Sequence, residues 1–333
     1  MITQLKRFFQ YFLILGLTVF LVWFSLKNIH LAEGSNKWDF LKETWGKANK
    51  MWLLAMAVLA FLSHALRALR WRMLIRQGGY KNSFFDVFFS LMVGYLVNLV
   101  IPRGGEVSRC YNLNRLDNTP IDVSFGTVVV ERVVDLIFLL SLVGLAFLVE
   151  ATRLFAFMES LPSLNWNIFD RNLLSLGAIL ILLVGFIYFV YRKSKKLRTF
   201  MIKTWQGIKK GLFTVVHLEK KGIFFFYSVA IWGIYLFMSY TVLMAFEATR
   251  NLGFSAVYTL FGIGSIAMAL PLPGGTGSYH VLVPQGLSFL YEIPLTEAVG
   301  FTFIFHGWQT LLMIVGGSIS LFFTTFLVKK RKK

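Results

Sequence analysis

The chain has 333 residues, 56% of them apolar and only 15% charged, which excludes a soluble globular domain because too much hydrocarbon would face water. A formal charge of +18 would suit nucleic acid, but the basic residues lie in blocks between apolar runs and at both ends, so no nucleic-acid partner is expected. The sole cysteine, Cys110, excludes an intramolecular disulfide and a multi-cysteine metal site.

In chain order, the first apolar run is 8–26, behind Lys6 and Arg7. It is long and leads into Lys27 without a small-residue cleavage pattern, so a retained anchor is expected rather than a secretory signal. Segment 27–50 mixes lysines with Glu33, Asp39 and Glu43 and reads as an external loop. Run 51–66 returns, and 67–81 carries Arg67, Arg70, Arg72, Arg76 and Lys81, a cytoplasmic segment by the positive-inside rule. Apolar runs follow at 84–101 and 123–149, with 150–171 as a mixed-charge external loop. Run 172–191 then leads into the basic block 192–221, and 223–246, 257–270, 278–291 and 299–328 precede the basic tail Lys329–Lys333.

Parity constrains how these runs cross. If 84–101 spanned, the basic block 192–221 would lie outside, against the charge rule. The conflict disappears if 84–116 enters from the cytoplasm, breaks at Pro102, Gly104 and Gly105, and leaves on the same side. The same argument makes 257–291 a second hairpin, broken at Pro273, Gly274, Gly275 and Gly277 and entering from outside. The expected fold is therefore an all-α polytopic membrane protein with about six spanning helices and two Pro/Gly-broken re-entrant hairpins. Residues 51–149 and 223–328 would form an inverted-topology repeat within a single transmembrane domain, 1–333, with both termini cytoplasmic. The alternative, in which 84–101 and 257–291 simply span and the charge rule is broken, stays open.

Polar residues cluster in 101–109 and 128–136. Glu131, Arg132 and Asp135 lie inside an apolar run, where an ionised side chain costs about 2.5–3.5 kcal/mol on insertion scales, so they are expected to face protein, water or a ligand. Glu131 and Asp135 share a helix face, and the hairpin supplies Arg103, Glu106 and Arg109 as partners. Pro102 and the Gly104–Gly105 pair interrupt the helix and would leave N–H groups free beside the arginines, which favours an anion. Arg103, Arg109 and Arg132 are thus candidate holders of a lipid phosphate, with Glu106, Glu131 and Asp135 orienting them or relaying protons. A purely structural charge network remains the competing reading. Asn98, Thr276, Ser278 and His280 are candidate polar lining, and His306 is a second membrane histidine. Segment 195–216 is amphipathic and basic and is expected to lie on the membrane surface or to serve as a topogenic loop. No nucleotide loop, nucleophile motif or metal-ligand spacing is present, so neither cofactor nor metal is expected.

The stretch Asn98, Pro102, Arg103, Gly104, Gly105, Glu106, Arg109, then Glu131, Arg132 and Asp135, then P-x-P-G-G-x-G at 271–277, resembles the lysylphosphatidylglycerol synthase/flippase transmembrane-domain family over nearly the whole chain. The resemblance implies a bacterial or archaeal plasma-membrane protein linked to moving aminoacylated phospholipid, or to glycolipid and polyprenyl-phosphate pathways. No aminoacyltransferase domain follows before Lys333, so lysyl transfer is not expected. The leading expectation is a non-enzymatic transporter of an anionic, aminoacylated or polyprenyl-linked lipid. The alternatives are a membrane enzyme with Glu131 or Asp135 as base and His280 or His306 as acid, or a scaffold that recruits a lipid-modifying enzyme.

Overall fold

The computed structural model describes residues 36–160, 217–269 and 272–331, together with Phe20 and Trp23, and is helical throughout these residues, with no strand. The expected runs 8–26 and 172–191, and segment 195–216, lie outside the described residues apart from Phe20 and Trp23.

The helices are α1 (Lys37–Lys47), α2 (Lys50–Gln77), α3 (Phe84–Asn98), α4 (Gly105–Asp117), α5 (Ile121–Ser160), α6 (Lys221–Ala245), α7 (Phe254–Ala269), α8 (Ser278–Tyr291) and α9 (Leu295–Arg331). Local chemistry sets their ends. The Asn49 side chain accepts from the Met51 and Trp52 N–H groups at the start of α2, which stops at Gly78 before Gly79 turns to φ 91°. Ser83 caps α3, Pro102 prevents its continuation, and Asn118 closes α4 at φ 61°.

Three expectations are corrected here. Arg67 and Arg70 are not in a cytoplasmic loop after 66, because α2 runs unbroken to Gln77 and Leu69, Trp71, Met73, Leu74 and Ile75 keep its apolar surface going. The loop expected from 150 is helical to Ser160, with a non-helical φ/ψ break at Glu150. Within 27–50, residues 37–47 form α1, whose Phe40 and Thr44 pack against Gly300 of α9.

Three described helices, Lys50–Gln77, Lys221–Ala245 and Leu295–Arg331, are long and apolar enough to cross a membrane. Their outward faces carry exposed side chains such as Leu54, Val58, Phe226, Phe237, Ile319 and Phe322, a surface suited to lipid rather than water.

Helices α2 and α6 pack antiparallel: the Asn49 N–H donates to the Ala245 carbonyl (2.8 Å) at one end, and Arg70 donates to Ser228 (3.2 Å) near the other. The two Pro/Gly-broken pairs start from opposite ends of this bundle. α3 and α4 leave and return at the end where Arg331 donates to Asp86 and to the Leu116 carbonyl. α7 and α8 leave and return at the end where Ala48, Leu53, Val257, Leu287 and Ala298 share the main core. Their tips meet, since a Cβ on Gly274 would sit 3.2 Å from Leu99 Cδ2.

The legs of the first pair approach closely because both carry glycine. A Cβ on Gly105 would lie 2.2 Å from the Gly94 carbonyl oxygen and 2.6 Å from the Asn98 side chain, so no other residue fits without moving backbone. Gly105→Val is therefore expected to cost ~2 kcal/mol or more through overpacking. Thermal melts followed by size-exclusion chromatography in detergent check this, and an unchanged melting temperature would contradict the close packing of α3 on α4.

Candidate functional site

The charges that sequence places in the bilayer form two groups. In the buried one, Asp135 on α5 accepts from Arg70 (2.6 Å) and from Arg67, both on α2. Glu131, one turn earlier, accepts from Arg109 of α4 (2.8 Å) and lies 3.5 Å from Arg70. Arg70 is fully buried, while Glu131 and Arg109 side chains are 4% and 6% exposed. Aromatic rings close the cluster: Arg109 lies 4.4 Å above the Trp71 ring, and Phe224 and Tyr235 face Arg70 and Arg67. Trp71 in turn donates to Thr127 (2.9 Å), fixing its ring under Arg109.

The second group is a single pair, exposed Arg132 donating to half-buried Glu106. Arg103 stands apart, exposed at φ 60° and without an ion pair among the described residues. Arg109 and Arg132 thus pair with different carboxylates, and Arg103 with none among the described residues. The amides expected to be free are in use as well, because Gly104 N–H donates to the Ile101 carbonyl (2.9 Å) and Gly105 N–H to Asn98 Oδ1 (2.7 Å).

The second tip is held by neutral groups. Positive φ at Gly274, Gly275 and Gly277 lets the chain turn within four residues, and a Cβ on Gly275 would collide with Met268. Ser278 donates to the Ala267 and Gly275 carbonyls, the Gly277 N–H donates to His280 Nδ1, and His306 Nε2 lies 2.9 Å from the Gly274 carbonyl, a bond in which the histidine donates. Pro273 begins the short turn and Thr276 ends it.

A cavity of about 420 Å³ lies between the two halves, with walls from α2, α3, α5, α6, α7, α8 and α9. Its volume falls in the usual range for a small-molecule site. Apolar side chains including Leu260, Phe261, Met268 and Leu312 dominate, while His64, Arg67, Tyr95, Tyr235, Ser265 and Gln309 supply polar groups. Arg67 joins this cavity to the charge cluster, donating to Tyr95 Oη (3.2 Å) on one side and to Asp135 on the other. Of the residues expected to bind a headgroup, to form the charge network or to be polar lining (Arg103, Arg109, Arg132, Glu106, Glu131, Asp135, Asn98, Thr276, Ser278 and His280), none lines it, whereas Tyr279 beside the second tip does. Asn98, Thr276, Ser278 and His280 sit at the tips instead.

The residues that sequence reasoning missed, Arg67 and Arg70, did leave a signal. Ser63, Arg67, Arg70, Trp71 and Leu74 recur at three- and four-residue spacing, which puts both arginines on the face that also buries Ser63, Trp71 and Leu74. Among the described residues, no group of three or more histidine, cysteine or acidic side chains is placed to hold a metal ion.

A family model described as "Lysylphosphatidylglycerol synthase TM region" matches residues 11–317. A UPF0104 membrane protein of Methanocaldococcus jannaschii is 26% identical over 315 residues, covering 85% of this chain and 88% of that protein. Glycosyltransferase AglD of Haloferax volcanii is 24% identical over 303 residues, 82% of this chain, which spans about half (49%) of its length. No solved structure matches the chain.

The geometry separates structural from peripheral charges. Arg70→Ala would leave Asp135 short of one partner and Glu131 of a neighbour in a buried site, and is expected to cost ~3–5 kcal/mol. Arg132→Ala removes a pair that is open to solvent on its arginine side and half-buried on its Glu106 side, and is expected to cost about 1–2 kcal/mol, less than Arg70→Ala. Side-by-side thermal melts of the two variants check the ranking, and equal losses would contradict it.

Proposed function

This chain belongs to the lysylphosphatidylglycerol synthase transmembrane family, and from that membership we propose that it moves a phosphate-bearing lipid between the leaflets of the plasma membrane. One observation carries the reading: a cavity is walled by α3 of the first broken pair and by both helices of the second, and these pairs start from opposite ends of the bundle and touch at their tips. In this reading both pairs are re-entrant, both termini are cytoplasmic, and 51–149 and 223–328 are inverted repeats. Broken helices at membrane depth are tolerated where they are buried in protein or line a cavity, and inverted repeats commonly meet at the transport site.

A headgroup needs a polar path while its tails stay in hydrocarbon. Arg103 and Arg132, exposed beside the first tip, meet the phosphate as it approaches; the cavity receives it; Arg109 holds α4 to α5 and does not touch it. AglD is described as a glycosyltransferase, which keeps a sugar-bearing polyprenyl lipid among the substrates to test beside phospholipids, and a lipid-modifying enzyme is the expected protein partner.

Reconstituted protein should redistribute a fluorescent phosphate lipid in a leaflet-selective quenching assay well above empty liposomes. Ser265→Trp, which fills part of the cavity, should slow this at least ~10-fold while the protein stays monodisperse. Equal rates for empty liposomes, wild type and variant would sink the transport reading. Independently, a cysteine at Lys81 should react with an impermeant thiol reagent only from the cytoplasmic side, and labelling from outside would overturn the orientation.

A further inference from the structure

Three hydrogen-bonding atoms in residues that line the cavity are buried and have no partner among the described residues: His64 Nδ1, Arg67 Nε and Trp232 Nε1. Buried polar atoms are almost always partnered, because an orphaned one costs about 1–3 kcal/mol. An arginine Nε–H and an indole N–H only donate, and a neutral histidine donates from Nδ1 in one of its two tautomers. These three orphaned atoms therefore call for an acceptor that the side chains around them do not supply.

The nearby arginines differ in what they face, because Arg67 lines the cavity whereas Arg70 and Arg109 do not. Arg70 is fully buried and bonded to Asp135 and Ser228, and Arg109 is bonded to Glu131 and covered by Trp71. Those two arginines match the two buried carboxylates, so Arg67 is the surplus cation of the cluster. It holds Asp135 through one terminal nitrogen and Tyr95 through the other, and its Nε–H is unused, as are those of Arg70 and Arg109, which do not line the cavity.

We propose that Arg67 is an exchangeable cation that binds the phosphodiester of an anionic lipid. The incoming phosphate displaces Asp135 from Arg67, and Asp135 stays neutralised by Arg70. The two non-bridging oxygens of a phosphodiester suit the guanidinium fork, and Trp232 and His64 supply further donors. A single negative charge balances the one surplus cation. A phosphomonoester brings a second charge that nothing here offsets, and a cationic headgroup on its own meets Arg67 as a like charge. The proposal takes its location from the lipid-moving reading but is testable apart from it.

The test is calorimetric binding to purified full-length protein in an uncharged detergent. The probes are dihexanoyl phosphatidylglycerol, the matching phosphatidate, the matching diacylglycerol and inorganic phosphate. Phosphatidylglycerol should bind saturably and more tightly than the other three. Arg67→Gln should weaken it ~10-fold or more, the loss expected for a charge-assisted hydrogen bond. Trp232→Phe should weaken it several-fold, and Asp135→Asn, which removes the competing counter-ion, should strengthen it. The last two variants decide the matter if Arg67→Gln does not fold. Unchanged binding in all folded variants, or inorganic phosphate binding as tightly as the lipid, overturns the proposal. Arg67-dependent binding without lipid movement in liposomes would support this site and count against transport; movement that Arg67→Gln leaves unchanged would overturn the site and leave transport standing.

Discussion

The pairing of arginines on α2 and α4 with Glu131 and Asp135 on α5 is the constraint on which the rest of this molecule depends. Charges removed from water cost several kcal/mol each unless partnered with good geometry, so helices that carry them are free to pack only where the partners coincide. Arg70 satisfies this for three helices at once, touching Asp135 and Glu131 on α5 and Ser228 on α6. Arg109 adds α4. The first broken pair is thereby fixed to both halves of the bundle at a defined height.

The second broken pair obeys different physics. Helices α7 and α8 contain no aspartate, glutamate, lysine or arginine, and their tip is held by a serine, two histidines and backbone carbonyls. Two unlike tips therefore meet, one anchored by a charge cluster and one by neutral hydrogen bonds. Arg67 is where the two regimes join, since it belongs to the cluster and also lines the cavity.

The sequence made the helix breaks legible because proline and glycine punctuate a chain wherever it folds, and α3, α4, α7 and α8 begin and end within a few residues of the expected bounds. Glu131 and Asp135 were legible because acids deep in an apolar run are too costly to leave unexplained. Arg67 and Arg70 were misread for the opposite reason: basic residues at the end of an apolar run fit the positive-inside rule, and only the continuing apolar face of α2 showed that the helix went on. The expected open amides at Gly104 and Gly105 failed because a broken helix satisfies its own backbone where it can, here through Asn98 and Ile101. The cavity had no motif at all. It arises where small residues such as Ala60, Ser63, Gly264 and Ser265 from separate helices face one another, and that is a property of packing between halves.

The most direct measurement is the structure of the full chain in lipid nanodiscs containing phosphatidylglycerol. The account predicts headgroup density in the cavity, with phosphate oxygens within about 3 Å of the Arg67 guanidinium and the Trp232 indole nitrogen, and with Asp135 turned toward Arg70. Density showing only acyl chain in the cavity, with Arg67 still bonded to Asp135 and headgroups confined to the two membrane surfaces, would contradict it.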